Sequence, residues 1–161
     1  MSETALRRTL AAAAIMWAGA LILGAFIASR PEVGSVAYLV SVAIYKAGAL
    51  VCHQRPERSF HVWGAQLPVC ARCAGIYAGA LMAAVAAATI SVGRDRDPVI
   101  NRPMLAVLLA AFPTALTLLH EWTTGLTPGN WTRAAAGFPL GAIVTWVIVL
   151  ASTPRAAVAI H

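Results

Sequence analysis

The residues in this sequence most able to do chemistry lie in one short stretch, 52–79, which reads CHQRPERSFHVWGAQLPVCARCAGIYAG. The stretch holds all three cysteines of the chain and two of its four histidines. Cysteine thiolates and imidazole nitrogens are ligands that zinc prefers, and thiolates are also the nucleophiles of disulfide exchange. We therefore expect any functional site to lie in this stretch.

The spacing of two of the cysteines favours a metal site. Cys70 and Cys73 are separated by two residues, which lets both sulfur atoms reach one tetrahedral ion from a tight turn. Further ligands are available at the start of the stretch, and a structural zinc-like ion would order a polar loop that is interrupted by prolines. The predicted ligands are Cys52, His53, Cys70 and Cys73, with His61 or His120 as the alternative fourth ligand.

Thiol redox chemistry is a second interpretation of the same residues. A helix that starts near Cys70, together with Arg72, would stabilise a thiolate, and Cys52 would be a third thiol able to resolve a mixed disulfide. A third interpretation is that the cysteines only pack as small apolar residues. An odd number of cysteines excludes a complete disulfide framework, and the alanine that follows Cys73 argues against c-type haem.

Arginines near the cysteines form a possible anion or ion-pair site. Their guanidinium groups could bind a phosphate or carboxylate, or they could pair with nearby glutamates or with lipid headgroups. A His-Glu pair at the predicted end of a span is a further candidate, because ionisable residues near a membrane are often functional. The residues of this predicted site are Arg55, Arg58, Arg72, Glu121 and Arg133.

Composition identifies the class of protein that carries these residues. Of 161 residues, 60% are hydrophobic and 11% are charged, whereas about a quarter of the residues of a soluble domain are charged. The net charge of +6 comes from basic residues scattered through the predicted loops, which favours contact with lipid headgroups over nucleic acid. We expect an integral membrane protein that binds no nucleic acid.

The hydrophobic runs predict an all-α, polytopic membrane helical bundle that forms a single domain. A bilayer core of about 30 Å takes about 20 apolar residues per helix, and the N-terminal run is too long for a signal peptide. The prediction comprises about four transmembrane helices at 9–28, 73–92, 104–119 and 134–150, a short interfacial or re-entrant helix at 36–51, and the Cys/His/Arg loop 52–72.

Two features within these spans carry more specific expectations. Pro113 lies inside the third span, where a kink is expected. Gly75 and Gly79 form a G-x-x-x-G pair that either lets a neighbouring helix approach closely or is incidental in a span rich in small residues.

The two halves of the stretch, CHQRPERSF and LPVCARCAGIYAG, resemble the signature of the domain-of-unknown-function 2085 family, which comprises small predicted membrane proteins of bacteria and archaea. Downstream, Asn130, Arg133, Gly137 and Gly141 fit the family pattern, whereas His120-Glu121 replaces its acidic element. The resemblance implies a helical membrane protein in a bacterial or archaeal inner membrane, and it implies no activity. The matching residues in the stretch are Cys52, His53, Gln54, Pro56, Arg58, Ser59, Phe60, Pro68, Cys70, Arg72, Cys73, Gly75, Tyr77 and Gly79.

Three functions are consistent with the sequence. The first is a small membrane protein with a structural metal site, and the second is a non-catalytic accessory subunit of a larger respiratory or photosynthetic membrane complex. The third is a membrane thiol-disulfide oxidoreductase. We favour a non-enzymatic role, because the sequence offers no catalytic base or cofactor cradle. Basic residues are equally divided between the two predicted faces, so the positive-inside rule does not orient the protein.

Overall fold

The computed structural model of the chain describes residues 3–90 and 102–152. Within these ranges the chain forms five α-helices, a short 3-10 turn at Pro56–Arg58 and one antiparallel β-hairpin. The helices are α1 Glu3–Ala28, α2 Ser35–Ala49, α3 Ala71–Thr89, α4 Pro103–Thr124 and α5 Asn130–Ala151, and the strands are β1 Ser59–Val62 and β2 Ala65–Cys70.

Four of the helices, α1, α3, α4 and α5, are long and apolar enough to cross a bilayer. The fifth helix, α2, has 15 residues and is about 22 Å long, which is short for a core of about 30 Å. The prediction of an all-α membrane bundle with four spans and one short helix is therefore confirmed. The last two residues of the predicted span 73–92 lie outside the described residues.

Three helices extend at least four residues beyond the hydrophobic runs that predict them, and the first is α1, which begins at Glu3. α4 continues to Thr124 and so includes His120 and Glu121, which the sequence places at the end of a span. α5 begins at Asn130 and includes Arg133. Glu121 and Arg133 contact each other across the two helices, and this pairing lets both charges lie within helical segments. α4 also continues through Pro113 without interruption.

α2 packs beside the C-terminal half of α1. The Ser41 hydroxyl of α2 donates a hydrogen bond to the Gly24 carbonyl of α1, at 3.1 Å. Gly24 lies against Ile44 of α2 and Pro68 of β2, where a methyl group would come within 2.9 Å of the isoleucine side chain. The absence of a side chain at Gly24 therefore lets three elements meet.

The polar stretch between α2 and α3 is a hairpin, which the sequence analysis did not predict. Trp63 and Gly64 form its two-residue turn with φ angles of 54° and 81°, the pattern of the tight turns that join twisted strands. Trp63 also packs edge-on against Phe26 of α1. β2 ends at Cys70 and α3 begins at the next residue, so the strand delivers the chain directly into the helix.

Glycines let α3 and α5 pack almost backbone to backbone. A methyl group on Gly75 would lie 2.0 Å from the Ala134 carbonyl oxygen, and one on Gly79 would lie 2.1 Å from that of Phe138. Gly137 and Gly141 of α5 are equally close to the backbone of α3. Because the contacts advance in the same direction along both helices, α3 and α5 are parallel. The close-approach interpretation of the G-x-x-x-G pair is thus the one that the structure supports.

Candidate metal centre

The three cysteines come together where α2, β2 and α3 meet. The Sγ atoms of Cys52, Cys70 and Cys73 all lie within 4.8 Å of one another. Cys52 follows α2, Cys70 ends β2 and is the N-cap residue of α3, and Cys73 lies in the first turn of α3. Three separate elements of secondary structure therefore converge on one cluster of sulfur atoms, which we call the thiol cluster.

The thiol cluster is held in an apolar setting within the bundle. Cys52 and Cys70 are each 6% exposed and belong to one core with Leu21 and Val69. Leu21 precedes Ala28, the last residue of α1, by seven residues, which is about 10 Å along a helix. The cluster therefore lies beside α1 about two turns before that helix ends.

Gln54 connects the segment that carries Cys52 to the rest of the site. Its side-chain amide donates hydrogen bonds to the backbone carbonyls of Tyr45 at 2.7 Å and of Pro68 at 2.6 Å. The residue has a positive φ of 46°, which turns the chain back after Cys52. In return, the side chain of Gln66 donates to the Gln54 carbonyl at 2.6 Å. These bonds fix the position of Cys52 relative to β2.

Hydrogen bonds within the cluster favour an ionised thiol at Cys70. A hydrogen bond with the Cys73 thiol is the largest cause that lowers the pKa of Cys70 to about 5, and bonds from the Cys73 backbone and the Cys52 side chain add to it. Burial acts in the opposite direction and is outweighed. The Cys70 backbone N–H itself donates to the Cys52 sulfur at 3.1 Å. The cluster therefore favours the thiolate form of Cys70, which is the form that binds metals and attacks disulfides.

The predicted histidine ligands do not join the cluster. Across residues 3–90 and 102–152, the Cys/His/Asp/Glu group close enough to hold a metal consists of the three cysteines. His53, His61 and His120 are all exposed. His53 follows Cys52 directly, but His53 is exposed whereas Cys52 is buried. The structure thus brings together three of the four predicted ligands, and the fourth stays a prediction.

The predicted arginine site falls into two parts. Arg58 and Arg133 both contact the same Glu121 oxygen, at 2.5 Å and 3.2 Å, and Arg72 donates a hydrogen bond to the Thr117 hydroxyl at 3.2 Å. Thr117 and Glu121 are four residues apart on α4 and so share one face. We call these three arginines with Glu121 the arginine cluster. Arg55 is exposed and lies outside it.

Sequence reasoning did not single out the polar residues that support these clusters. Gln54 was matched to the family signature, but nothing in its type indicated that it joins α2 to β2. Asn130 donates a hydrogen bond to the Ser59 carbonyl at 2.9 Å and so ties the start of α5 to the hairpin. Thr117 gives no signal in an apolar run. The signal that the sequence offers for Gln54 is an amide side chain within a motif that also contains cysteines.

Comparison with known proteins gives a family but no activity. A family model described as "Predicted membrane protein (DUF2085)" matches residues 52–147, which begins at the first cysteine. An uncharacterized protein of Methanothermobacter thermautotrophicus is 34% identical over 101 residues, which cover 61% of this chain and 86% of that protein. An uncharacterized protein of Methanocaldococcus jannaschii is 39% identical over 62 residues, which cover 38% of this chain and 40% of that protein. No solved structure matches.

Proposed function

Because the chain belongs to the DUF2085 family of predicted membrane proteins, and the matched region contains all three cysteines, we propose that it is an integral membrane protein that binds a metal ion at the thiol cluster. The ion is of the soft or borderline class, with zinc the first expectation. The role of the ion is structural. By binding Cys52, Cys70 and Cys73, it fixes the hairpin against the start of α3.

The observation that carries the proposal is the convergence of three sulfur atoms within 4.8 Å. Zinc–sulfur bonds of about 2.3 Å in tetrahedral geometry place the sulfur ligands about 3.8 Å apart, so a small inward shift would complete the site. Cys70, with its pKa lowered to about 5, supplies one ligand already in the thiolate form. Any fourth ligand comes from a histidine that moves, with His53, His61 and His120 as candidates, or from water.

Elemental analysis of the detergent-purified protein tests the proposal. We expect about one zinc or similar ion per chain, and we expect Cys70→Ser to lose it. The matched control is Met82→Leu, which removes a sulfur atom from an exposed position of α3 and should keep the metal. Single replacement of each candidate histidine by alanine identifies the fourth ligand. A metal-free wild-type protein, purified without chelators and with its thiols reduced, would contradict the proposal.

Thiol-disulfide exchange is a second candidate, and the lowered pKa of Cys70 favours it. In this reaction the Cys70 thiolate and the Cys73 thiol pass two electrons to an acceptor such as another disulfide, Cys73 releases its proton, and one disulfide bond forms between them. Mass spectrometry after alkylation distinguishes the two functions. A metal-free protein in which Cys70 and Cys73 switch reversibly between alkylated and protected states supports redox chemistry over metal binding.

The remaining candidate is an accessory subunit of a larger respiratory or photosynthetic complex in a bacterial or archaeal inner membrane. The helix that favours it is α4, of which 6% of the apolar span is buried within the chain. Such a face contacts lipid or a helix of another subunit. Purification in a mild detergent decides between these: a complex that survives replacement of all three cysteines by serine supports the subunit role.

A further inference from the structure

Three arginines from three different elements meet on one face of α4. Arg58 comes from the 3-10 turn before the hairpin, Arg72 from the first turn of α3 and Arg133 from the first turn of α5. Arg58 and Arg133 share one oxygen of Glu121, and Arg72 contacts Thr117 one turn away. Arg133 experiences the charges of Glu121, Arg58 and Arg72 together, so these four groups form one electrostatic unit.

Charge in this unit is not balanced. Three guanidinium groups face one buried carboxylate, which leaves two positive charges without a buried counterpart. Glu57 lies 3.9 Å from Arg58, but its side chain is 60% exposed and its charge is screened by solvent. Arg133 is 2% exposed, and a guanidinium group does not lose its proton in a protein. The buried charge of Arg133 is therefore balanced by Glu121, and the surplus charge belongs to Arg58 and Arg72, which are partly exposed and partly screened by solvent.

Hydrogen-bond donors are also left over. Within the described residues, the Nε atoms of Arg58, Arg72 and Arg133 are buried and have no hydrogen-bond partner. Buried donors of this kind are normally satisfied by an acceptor. Glu121 Oε2 is a buried acceptor that also lacks a partner, so three unpartnered Nε donors face one unpartnered oxygen. Donors exceed acceptors and positive charge exceeds negative charge in the unit, and an oxyanion supplies both acceptor oxygens and negative charge.

The thiol cluster does not remove the surplus charge. Three thiolates around a divalent ion carry a net charge of −1, which would offset one of the two surplus charges and leave the other. A metal-loaded thiol cluster would therefore leave one positive charge of the unit to be balanced by a further anion.

We propose that Arg58, Arg72 and Arg133 bind an oxyanion of the phosphate class. Planar guanidinium groups present paired donors that match the oxygens of a phosphate, and three of them can contact one anion from different directions. The anion is either free phosphate or the phosphate of a lipid headgroup. Its binding joins the hairpin, α3 and α5 at the end of the bundle where all three begin.

Isothermal titration of inorganic phosphate into the detergent-purified protein, in a buffer with gluconate as the only other anion, tests the proposal. We expect saturable binding, and we expect Arg72→Gln to weaken it by about tenfold or more, since hydrogen bonds to charged groups contribute at least that factor. Arg55→Gln is the matched control: it removes an exposed arginine outside the arginine cluster and should leave the affinity within about twofold.

Glu121→Gln distinguishes anion binding from a purely structural role of the arginine cluster. The variant raises the surplus positive charge, so phosphate should bind more tightly than to the wild-type protein. If this variant does not fold, Arg72→Gln against Arg55→Gln decides the question alone.

Native mass spectrometry of protein extracted from vesicles of phosphatidylglycerol identifies the source of the anion. A retained phosphatidylglycerol that is lost in Arg72→Gln and kept in Arg55→Gln assigns the site to a lipid headgroup, even if inorganic phosphate does not bind. Binding of inorganic phosphate without retained lipid assigns it to the free anion. The absence of both, or equal binding by Arg72→Gln and the wild-type protein, overturns the proposal.

Discussion

Cys70 combines two positions that are usually separate. It is the last residue of a strand and also the N-cap residue of α3, with a thiol where a helix start commonly has a hydroxyl or carboxylate. The positive end of the helix favours a negative charge at this position. The acid-base behaviour of this thiol therefore depends on the junction between β2 and α3 as much as on its cysteine neighbours.

The titration of Cys70 can be measured in the metal-free protein. The ultraviolet absorbance of the thiolate should contain a component with a midpoint near pH 5, because the pKa of Cys70 is lowered to about 5. The thiolate predominates above that pH and is lost below it, whereas an ordinary cysteine ionises at about 8.5. Subtraction of the Cys70→Ser titration isolates the component.

Cys73→Ala provides the control for this titration. The hydrogen bond with the Cys73 thiol is the largest cause of the shift, and alanine has no donor, so the midpoint of Cys70 should rise in this variant. A midpoint near 8.5 in the wild-type protein, unchanged by Cys73→Ala, would show that the cluster does not stabilise a thiolate.

Gln54 is the second residue on which the site depends. Gln54→Leu removes the donor for the carbonyls of Tyr45 and Pro68, and each buried acceptor left without a partner costs about 1–3 kcal/mol. We expect the free energy of unfolding in detergent to fall by at least about 1 kcal/mol. Glu57→Ala, at an exposed position of the same loop, should leave it nearly unchanged. Equal stability of the two variants would exclude a positioning role for Gln54.

At the scale of secondary structure, the contact between α3 and α5 requires a very close approach of the two helix backbones. Both helices contribute two glycines four residues apart, so that backbone meets backbone over two turns. Packing of this kind holds membrane helices together without a hydrophobic driving force. It also fixes where Arg72 and Arg133 lie, since each is in the first turn of one of these helices.

A single methyl group tests this contact. Gly79→Ala places a Cβ atom about 2.1 Å from the Phe138 carbonyl oxygen, so the helices must separate. Overpacking costs typically 1–3 kcal/mol, and we expect a clearly lower thermal midpoint in detergent. Gly19→Ala is the matched control on α1, where a methyl group meets nothing within 4 Å. An unchanged midpoint for Gly79→Ala would mean that α3 and α5 are not this close.

The sequence predicts the existence of the four spanning helices better than it predicts the residues at which they begin and end. Long apolar runs identify the four spans because the bilayer sets a minimum length. Glu121 and Arg133 extend α4 and α5 beyond those runs, because each neutralises the other from a different part of the chain. The hairpin was missed because Trp63, a bulky residue, adopts a positive φ that its type does not indicate. The helix ends depend on a contact between residues that are distant in sequence, and the hairpin depends on an unusual backbone conformation. Local sequence patterns contain neither.

At the scale of the whole molecule, the elements that carry the two clusters lie at one end of the bundle. α1 and α3 are antiparallel, as shown by the edge-on contact of Trp17 with Tyr77 and by the proximity of Arg8 to Ile90. α4 is antiparallel to α5, because Thr114 bonds to Ala136 whereas Glu121 bonds to Arg133. The hairpin and the α4–α5 loop therefore share one face of the membrane, and the start of α1 lies on the other.

Cysteine labelling in vesicles of known orientation checks this topology. Glu57→Cys and Thr127→Cys should react alike with a membrane-impermeant thiol reagent, and Arg8→Cys should show the opposite accessibility. The native protein is the control, since Cys52 and Cys70 are buried and Cys73 is partly so. Opposite labelling of Glu57→Cys and Thr127→Cys would contradict the four-span arrangement.

The candidate site was predictable to the extent that its residues are close in sequence. The two-residue spacing of Cys70 and Cys73 indicates the cluster, and Cys52 follows as the remaining thiol. The sequence suggests His53 as a ligand because it adjoins Cys52; His53 is exposed, and its role as the fourth ligand stays a prediction. Arg133 is distant in sequence from Arg58 and Arg72, and it joins the arginine cluster because α5 packs on α3.

The parallel packing of α3 and α5 also sets an order of assembly. Two parallel neighbours need a third helix to return the chain across the bilayer, so α3 cannot meet α5 until α4 and the first turns of α5 have been inserted. All three cysteines, in contrast, have been synthesised once the chain reaches Cys73. We therefore expect a ribosome-bound nascent chain that ends after α3 to protect its thiols with zinc, while Arg72 still lacks Thr117. A metal ion bound at this stage would keep the hairpin ordered until α4 and α5 have been inserted.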